Sequence, residues 1–103
     1  MNCINSKDFE EYKQSGRKVI QFSASWCGPC KVLEQTINSV VSLYPNVEFA
    51  KVDIGESQQA ASDYGVRSVP TLVYLKDGTE VDRFIGARSV PKLQEFIDSC
   101  NAK

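Results

Sequence analysis

The stretch Val19-Ile20-Gln21-Phe22-Ser23-Ala24-Ser25-Trp26-Cys27-Gly28-Pro29-Cys30 decides how this chain is read. Its first half is apolar and β-branched and predicts a buried strand over Val19 to Ala24, which delivers a Cys-x-x-Cys pair at its C-terminal end. The residues that follow predict a helix. Leu33, Ile37, Val40, Val41 and Tyr44 recur at spacings of 4, 3, 1 and 3, and the run closes before Pro45. Two cysteines at the start of a helix point to disulfide exchange, because the attacking species is a thiolate and helix-terminal amides favour nearby negative charge. Two residues between them, in the first helical turn, bring the second sulfur within reach of the first. Gly28 removes side-chain bulk, and Pro29 gives up an N–H that a first turn leaves unpaired anyway.

Outward from this stretch, helices and strands alternate. Ser6 is read as the cap of a short helix carrying Phe9 and Tyr12, with Gly16 ending it. Val47 to Ile54 predicts a second strand, with an imperfect alternation that implies cover on both faces. Ser57 to Tyr64 predicts a weaker helix. Thr71 to Leu75 and Val81 to Ile85 flank Lys76-Asp77-Gly78, the signal of a hairpin. Leu93, Phe96, Ile97 and Cys100 fall at i, i+3, i+4 and i+7 and predict a C-terminal helix that starts at Ser89 and Pro91. The order α-β-α-β-α-β-β-α predicts an α/β domain over 1–103, a central mixed β-sheet flanked by helices on both faces.

Composition limits the function. With 103 residues, 42% of them hydrophobic, the chain can bury a core without metal or disulfide staples, so the cysteines are not read as scaffolding. Twelve basic and 13 acidic residues leave a formal charge of −1, with no basic field for nucleic acid and no polybasic patch for a membrane surface. Met1 to Tyr12 lacks the apolar run of a secretory signal, and no segment approaches the roughly 20 apolar residues of a membrane span. A reducing compartment, the cytosol, is the expectation.

These features together resemble thioredoxin along the whole chain. The resemblance is carried by Trp26-Cys27-Gly28-Pro29-Cys30-Lys31, Val69-Pro70-Thr71, the Lys76-Asp77-Gly78 turn and Gly86-Ala87. It implies the thioredoxin-like fold and a monomeric protein-disulfide reductase that needs no cofactor and is recharged by thioredoxin reductase or another thiol donor. Its implied clients are disulfide-containing proteins such as peroxiredoxin, ribonucleotide reductase and methionine sulfoxide reductase. Cys27 would be the exposed nucleophile and Cys30 the more buried resolving thiol. Trp26 would belong to the docking surface, or else be a half-buried core aromatic. Pro70 matches the family's cis-proline, leaving the backbone at Val69 to pair with substrate. Gly86 would keep the groove open, with Ala87 beside it on the docking surface, although a glycine at a strand end is also met in bulges.

The sharpest departure from the family is Gln21, where a buried aspartate usually takes the proton from the second cysteine. An amide cannot exchange a proton near neutral pH, so that role does not transfer. Gln21 could instead hydrogen-bond a water or the thiol, or be a buried amide satisfied by backbone. Lys51 matches the lysine that pairs with the missing aspartate. Left without it, Lys51 would present a less neutralised charge favouring thiolate, or snorkel at the surface. Gln35 replaces a helix-kinking proline, predicting a straighter helix, and Ser23 replaces a common aromatic. Cys100 continues an apolar stripe and reads as a buried inert thiol. Cys3 lies 24 residues before Cys27 and Cys100 lies 70 after Cys30, which is not the spacing of a zinc site, and there is no histidine. An isomerase or oxidase of the same fold and a non-catalytic docking module are the rival functions.

Overall fold

Strand β2 (Arg17–Ser23) is buried from Lys18 onward and lies at the centre of the sheet, because its alternate side chains are apolar on both faces. The computed structural model describes every residue from Met1 to Lys103. Strand β2 pairs in parallel with β3 (Val47–Asp53) and antiparallel with β4 (Thr71–Lys76), which carries β5 (Thr79–Ile85) along its other side. A two-residue strand, β1 (Asn2–Cys3), pairs in parallel with the outer edge of β3 and completes the order β1-β3-β2-β4-β5. The sequence reading missed β1. Two residues carry no period, and what fixes them is backbone pairing of Asn2 with Ala50 and Cys3 with Lys51, extended by the Ile4 amide to the Lys51 carbonyl at 2.9 Å.

Four α-helices cover this mixed sheet: α1 (Ser6–Tyr12), α2 (Gly28–Val40), α3 (Gln58–Asp63) and α4 (Val90–Asn101). Val19 and Leu72 point to the face where Leu33 and Ile37 of α2 meet Leu93 and Ile97 of α4. Ile20, Phe22 and Val73 point to the other face, against Phe9 of α1 and Ala60 of α3. Strand β3 contributes Phe49 to the first layer and Ala50 and Val52 to the second, so its cover on both faces agrees with the expectation. Each buried Leu, Ile or Phe here contributes roughly 1.5–3 kcal/mol from leaving water.

The helix boundaries differ from the sequence reading at both ends of α1, which closes at Tyr12 with Lys13 as its C-cap and not at Gly16, and at the end of α2. The cap of α1 is Asn5, not Ser6: Asn5 is extended and its side chain accepts the Asp8 amide at 2.8 Å, while the Ser6 hydroxyl, inside the helix, accepts the Ala60 amide of α3. Helix α2 ends at Val40 and tightens into a 3-10 turn over Val41–Leu43, a common way for a last turn to close before proline. Between those ends α2 runs as one unbroken helix past Gln35. Ser89 caps α4 as expected, accepting the Lys92 amide, and Asp77 and Gly78 both take positive φ (50° and 86°) in the β4–β5 hairpin.

Candidate active site

The central strand ends at Ser23, and the chain turns once before α2 begins. That turn is closed by the Cys27 amide donating to the Ala24 carbonyl at 3.1 Å, which leaves Cys27 extended as the N-cap of α2. Its Sγ accepts the Cys30 amide at 3.2 Å, so one of the unpaired N–H groups of the helix start points at this sulfur. Cys27 and Cys30 are joined as a disulfide across a Cα separation of 5.3 Å, and Pro29 occupies the first turn without disturbing it. Both cysteines are almost covered, at 4% and 3% exposure, which corrects the expectation of an exposed Cys27. The cause is the packing of the pair against Ala24 and Val69. Trp26 is 76% exposed beside it and is therefore no core aromatic. Gly28 is also exposed, and a Cβ there would meet nothing within 4 Å, so in this closed form its small size relieves no internal contact.

A second loop closes over the disulfide. The Val69-Pro70 bond is cis, Pro70 is buried, and Val69 is half-buried against the cysteine cluster. The Gly86 amide donates to the Pro70 carbonyl at 2.8 Å and ties the end of β5 to this loop. Gly86 has φ +91°, a conformation that favours glycine, and a Cβ there would project into open space. Ala87 is exposed beside it. The structure thus brings Val69, Pro70 and Gly86 together, with Val69 against the pair. Ile85, 64% exposed and paired with Thr71 next to Pro70, joins this rim; the sequence reading placed it in a strand but gave it no part in the site.

Beneath the pair, one register line runs across the sheet through Cys3, Lys51, Gln21 and Leu72. Gln21 is fully buried, and its Nε2 donates to the Cys30 carbonyl at 2.8 Å, while its Oε1 has no protein partner. It therefore holds the backbone under Cys30 and bonds neither thiol. Lys51 differs from expectation more sharply. Its Nζ pairs with Glu34 at 2.8 Å, and that hydrogen bond raises the lysine's pKa, so its charge is neutralised and not left to act on the thiolate. Glu34 lies four residues after Cys30, on the same side of α2. That i, i+4 spacing was visible in the sequence, but nothing there placed Lys51 opposite it.

A cavity of about 290 Å3 opens between these groups, lined among others by Cys3, Cys30, Lys31, Glu34, Lys51 and Asp53. Cys100 lies elsewhere, buried in the α4 layer, where burial pushes its thiol up to about 11. No group of three or more His, Cys, Asp or Glu side chains is placed to hold a metal ion, and no helix is long and apolar enough to cross a membrane.

A disulfide at the start of a helix, at the end of a central strand and under a cis-proline loop defines a thiol–disulfide oxidoreductase of the thioredoxin fold. The thioredoxin family model matches residues 1–99, and the chain belongs to that family. It is 38% identical over 99 residues to thioredoxin-2 of Pyricularia oryzae, covering 95% of this chain but 57% of that longer protein. It is likewise 38% identical to thioredoxin of Chlamydia trachomatis, covering 94% of this chain and 95% of the other. Among solved structures, oxidised mitochondrial thioredoxin 3 of Saccharomyces cerevisiae superposes with a TM-score of 0.86 at 35% identity, over 96% of this chain and 94% of that one. Membership brings a dithiol–disulfide exchange chemistry served by the Cys27/Cys30 pair, a thiol donor that recharges it and disulfide clients that consume it.

Proposed function

We propose that this chain reduces client disulfides, with Cys27 as the nucleophile and Cys30 as the resolving thiol. The observation that carries this assignment is the Cys30 amide pointing at Cys27 Sγ from the first turn of α2. On reduction that amide and the helix terminus stabilise negative charge on Cys27 specifically, since Cys30 lies inside the helix. The Cys27 thiolate attacks one client sulfur, forming a mixed disulfide and releasing the client's other sulfur as thiolate. Cys30 then attacks Cys27, the Cys27–Cys30 bond forms, and the reduced client leaves. The electron pair passes to the client, and a thiol donor of the thioredoxin reductase kind returns the pair to the dithiol.

Trp26, Val69, Pro70, Gly86 and Ala87 form the docking rim in this reading, with Gln21, Gly28 and Pro29 supporting the pair. Their arrangement around the almost covered sulfurs favours an extended client segment that reaches Cys27 between the exposed Trp26 and the Gly86 segment. Proteins of the peroxiredoxin, ribonucleotide reductase and methionine sulfoxide reductase kinds are the proposed clients, and the cytosol the proposed compartment. A Cys30→Ser variant incubated with an oxidised client should stall as a stable mixed disulfide through Cys27, seen as a gel shift reversed by reductant. A variant that formed none, or formed it through Cys3, would overturn the assignment.

A further inference from the structure

Resolution requires the Cys30 thiol to lose a proton, and Cys30 is only 3% exposed. The side chain beneath it, Gln21, is an amide whose Nε2 is spent on the Cys30 carbonyl. The proton acceptor must come from elsewhere. We propose that Glu34 takes the Cys30 proton, through a water of the cavity that both residues line, during resolution of the mixed disulfide. This rests on the reductase reading above.

Three carboxylates line that cavity with Cys30: Glu34, Asp53 and Glu56. Asp53 is turned to its own loop, its Oδ1 accepting the Gly55 and Glu56 amides at 2.8 and 3.2 Å, and Glu56 is an exposed residue of the loop after β3. Glu34 follows Cys30 by four residues on α2, so their side chains stack on one helix face. Lys51 of β3, 2.8 Å from Glu34, fixes where the carboxylate sits. The remaining charged or titratable groups facing this space are Lys31 of α2 and Cys3 of β1. At about 290 Å3 the cavity far exceeds the roughly 10–15 Å3 that one water requires.

The electrostatics balance across the step. In the resting state the Lys51 ammonium faces a carboxylate. When the proton moves from Cys30 to Glu34, the negative charge moves to the Cys30 sulfur, and Lys51, released from its partner, faces a thiolate on the same cavity. Thiolate attack on Cys27 then forms the Cys27–Cys30 bond and breaks the bond to the client sulfur, which leaves as thiolate and takes up a proton from Glu34 or solvent. Cys30 is oxidised and the client sulfur reduced.

The test follows the two releases of a coloured aromatic thiolate when reduced protein meets an excess of its symmetrical disulfide, in a Cys3→Ser background. The first release reports attack by Cys27 and the second reports resolution by Cys30. In Glu34→Gln, the second release should slow at least about tenfold near neutral pH and rise in proportion to hydroxide, since general-base assistance contributes about 10² to 10⁴. The first should stay within about twofold of its parent, and Glu34→Asp should recover most of the lost rate. An unchanged second release overturns the proposal. So does a faster one, which would make Glu34 only a neutraliser of Lys51, and so does equal slowing of both releases, which would make it structural. A parent protein that gave no second release would instead refute the reductase reading.

Discussion

Replacing Gln21 by Asp would restore the carboxylate usual in the family, and the structure indicates a pH-dependent loss of stability. The position is fully buried, and its one hydrogen bond, to the Cys30 carbonyl, is donated. The aspartate side chain, one methylene shorter than glutamine, gives up that bond, so about 1 kcal/mol is lost at any pH. Burial raises a carboxyl pKa by up to about 3–5 units, and about 3 units at 1.36 kcal/mol each is about 4 kcal/mol. Lys51 is the register neighbour, and at about 6 Å with an effective dielectric near 20 its ammonium would return about 3 kcal/mol. Glu34 already holds that ammonium, so about half is a fairer share. The net charge-dependent cost is then about 2–3 kcal/mol.

The sign follows from linkage. A carboxyl whose folded pKa lies above its unfolded value of about 3.9 costs nothing extra below that value, and its penalty grows as pH rises through the folded pKa, near 5.5 to 6 for that net cost. Thermal unfolding of oxidised Gln21→Asp and Gln21→Asn, which differ only in charge, should therefore coincide near pH 4 and diverge by pH 8. At about 4–8 °C per kcal/mol the gap should reach roughly 10 °C or more. Equal Tm values at pH 8 would refute the reasoning, because the site would then solvate or pair a carboxylate that the packing shown here leaves stranded.

Other consequences are simpler. Leu93→Ala removes a fully buried side chain from the layer between α4 and the sheet and should cost about 2–5 kcal/mol by urea denaturation. With its thiol pushed up to about 11 by burial, native Cys100 should resist alkylation at pH 8 while exposed Cys3 is modified, as read by mass spectrometry before and after unfolding. The Tyr44 phenol, pushed up to about 12 by burial and its hydrogen bond to Asp98, should ionise later than ordinary tyrosines in an ultraviolet titration, and Asp98→Asn should bring it down. Gly78→Ala, at φ +86°, should destabilise the hairpin by about 1–2 kcal/mol.

Much of this molecule was legible before any coordinates. The Cys27 to Cys30 pair, its helix, the central strand and the Asp77-Gly78 hairpin each carry a strong local signal, either a period or a residue type that only one backbone shape accepts. What failed to show was set by partners distant in sequence. Strand β1 exists because the edge of β3 offers it hydrogen bonds, Ser6 leaves the cap of α1 to Asn5 while its own hydroxyl serves the Ala60 amide 54 residues on, and Lys51 is neutralised because α2 sets Glu34 above β3. The burial of Cys27 had the same origin, since the Val69 loop that covers it is more than 40 residues away. Where the chain departs from its family, at Gln21, sequence identified the departure but not its contact. Only the fold showed that the amide reaches the Cys30 carbonyl and not the thiol.

The reduction potential of the Cys27/Cys30 couple tests the reductase reading most directly. It is obtained by equilibrating the protein against defined thiol and disulfide buffers and following the exposed Trp26 by fluorescence. A value on the order of −270 mV, where thioredoxins as a family lie, is the predicted result. A value of about −120 to −180 mV would contradict it and mark an oxidase or isomerase.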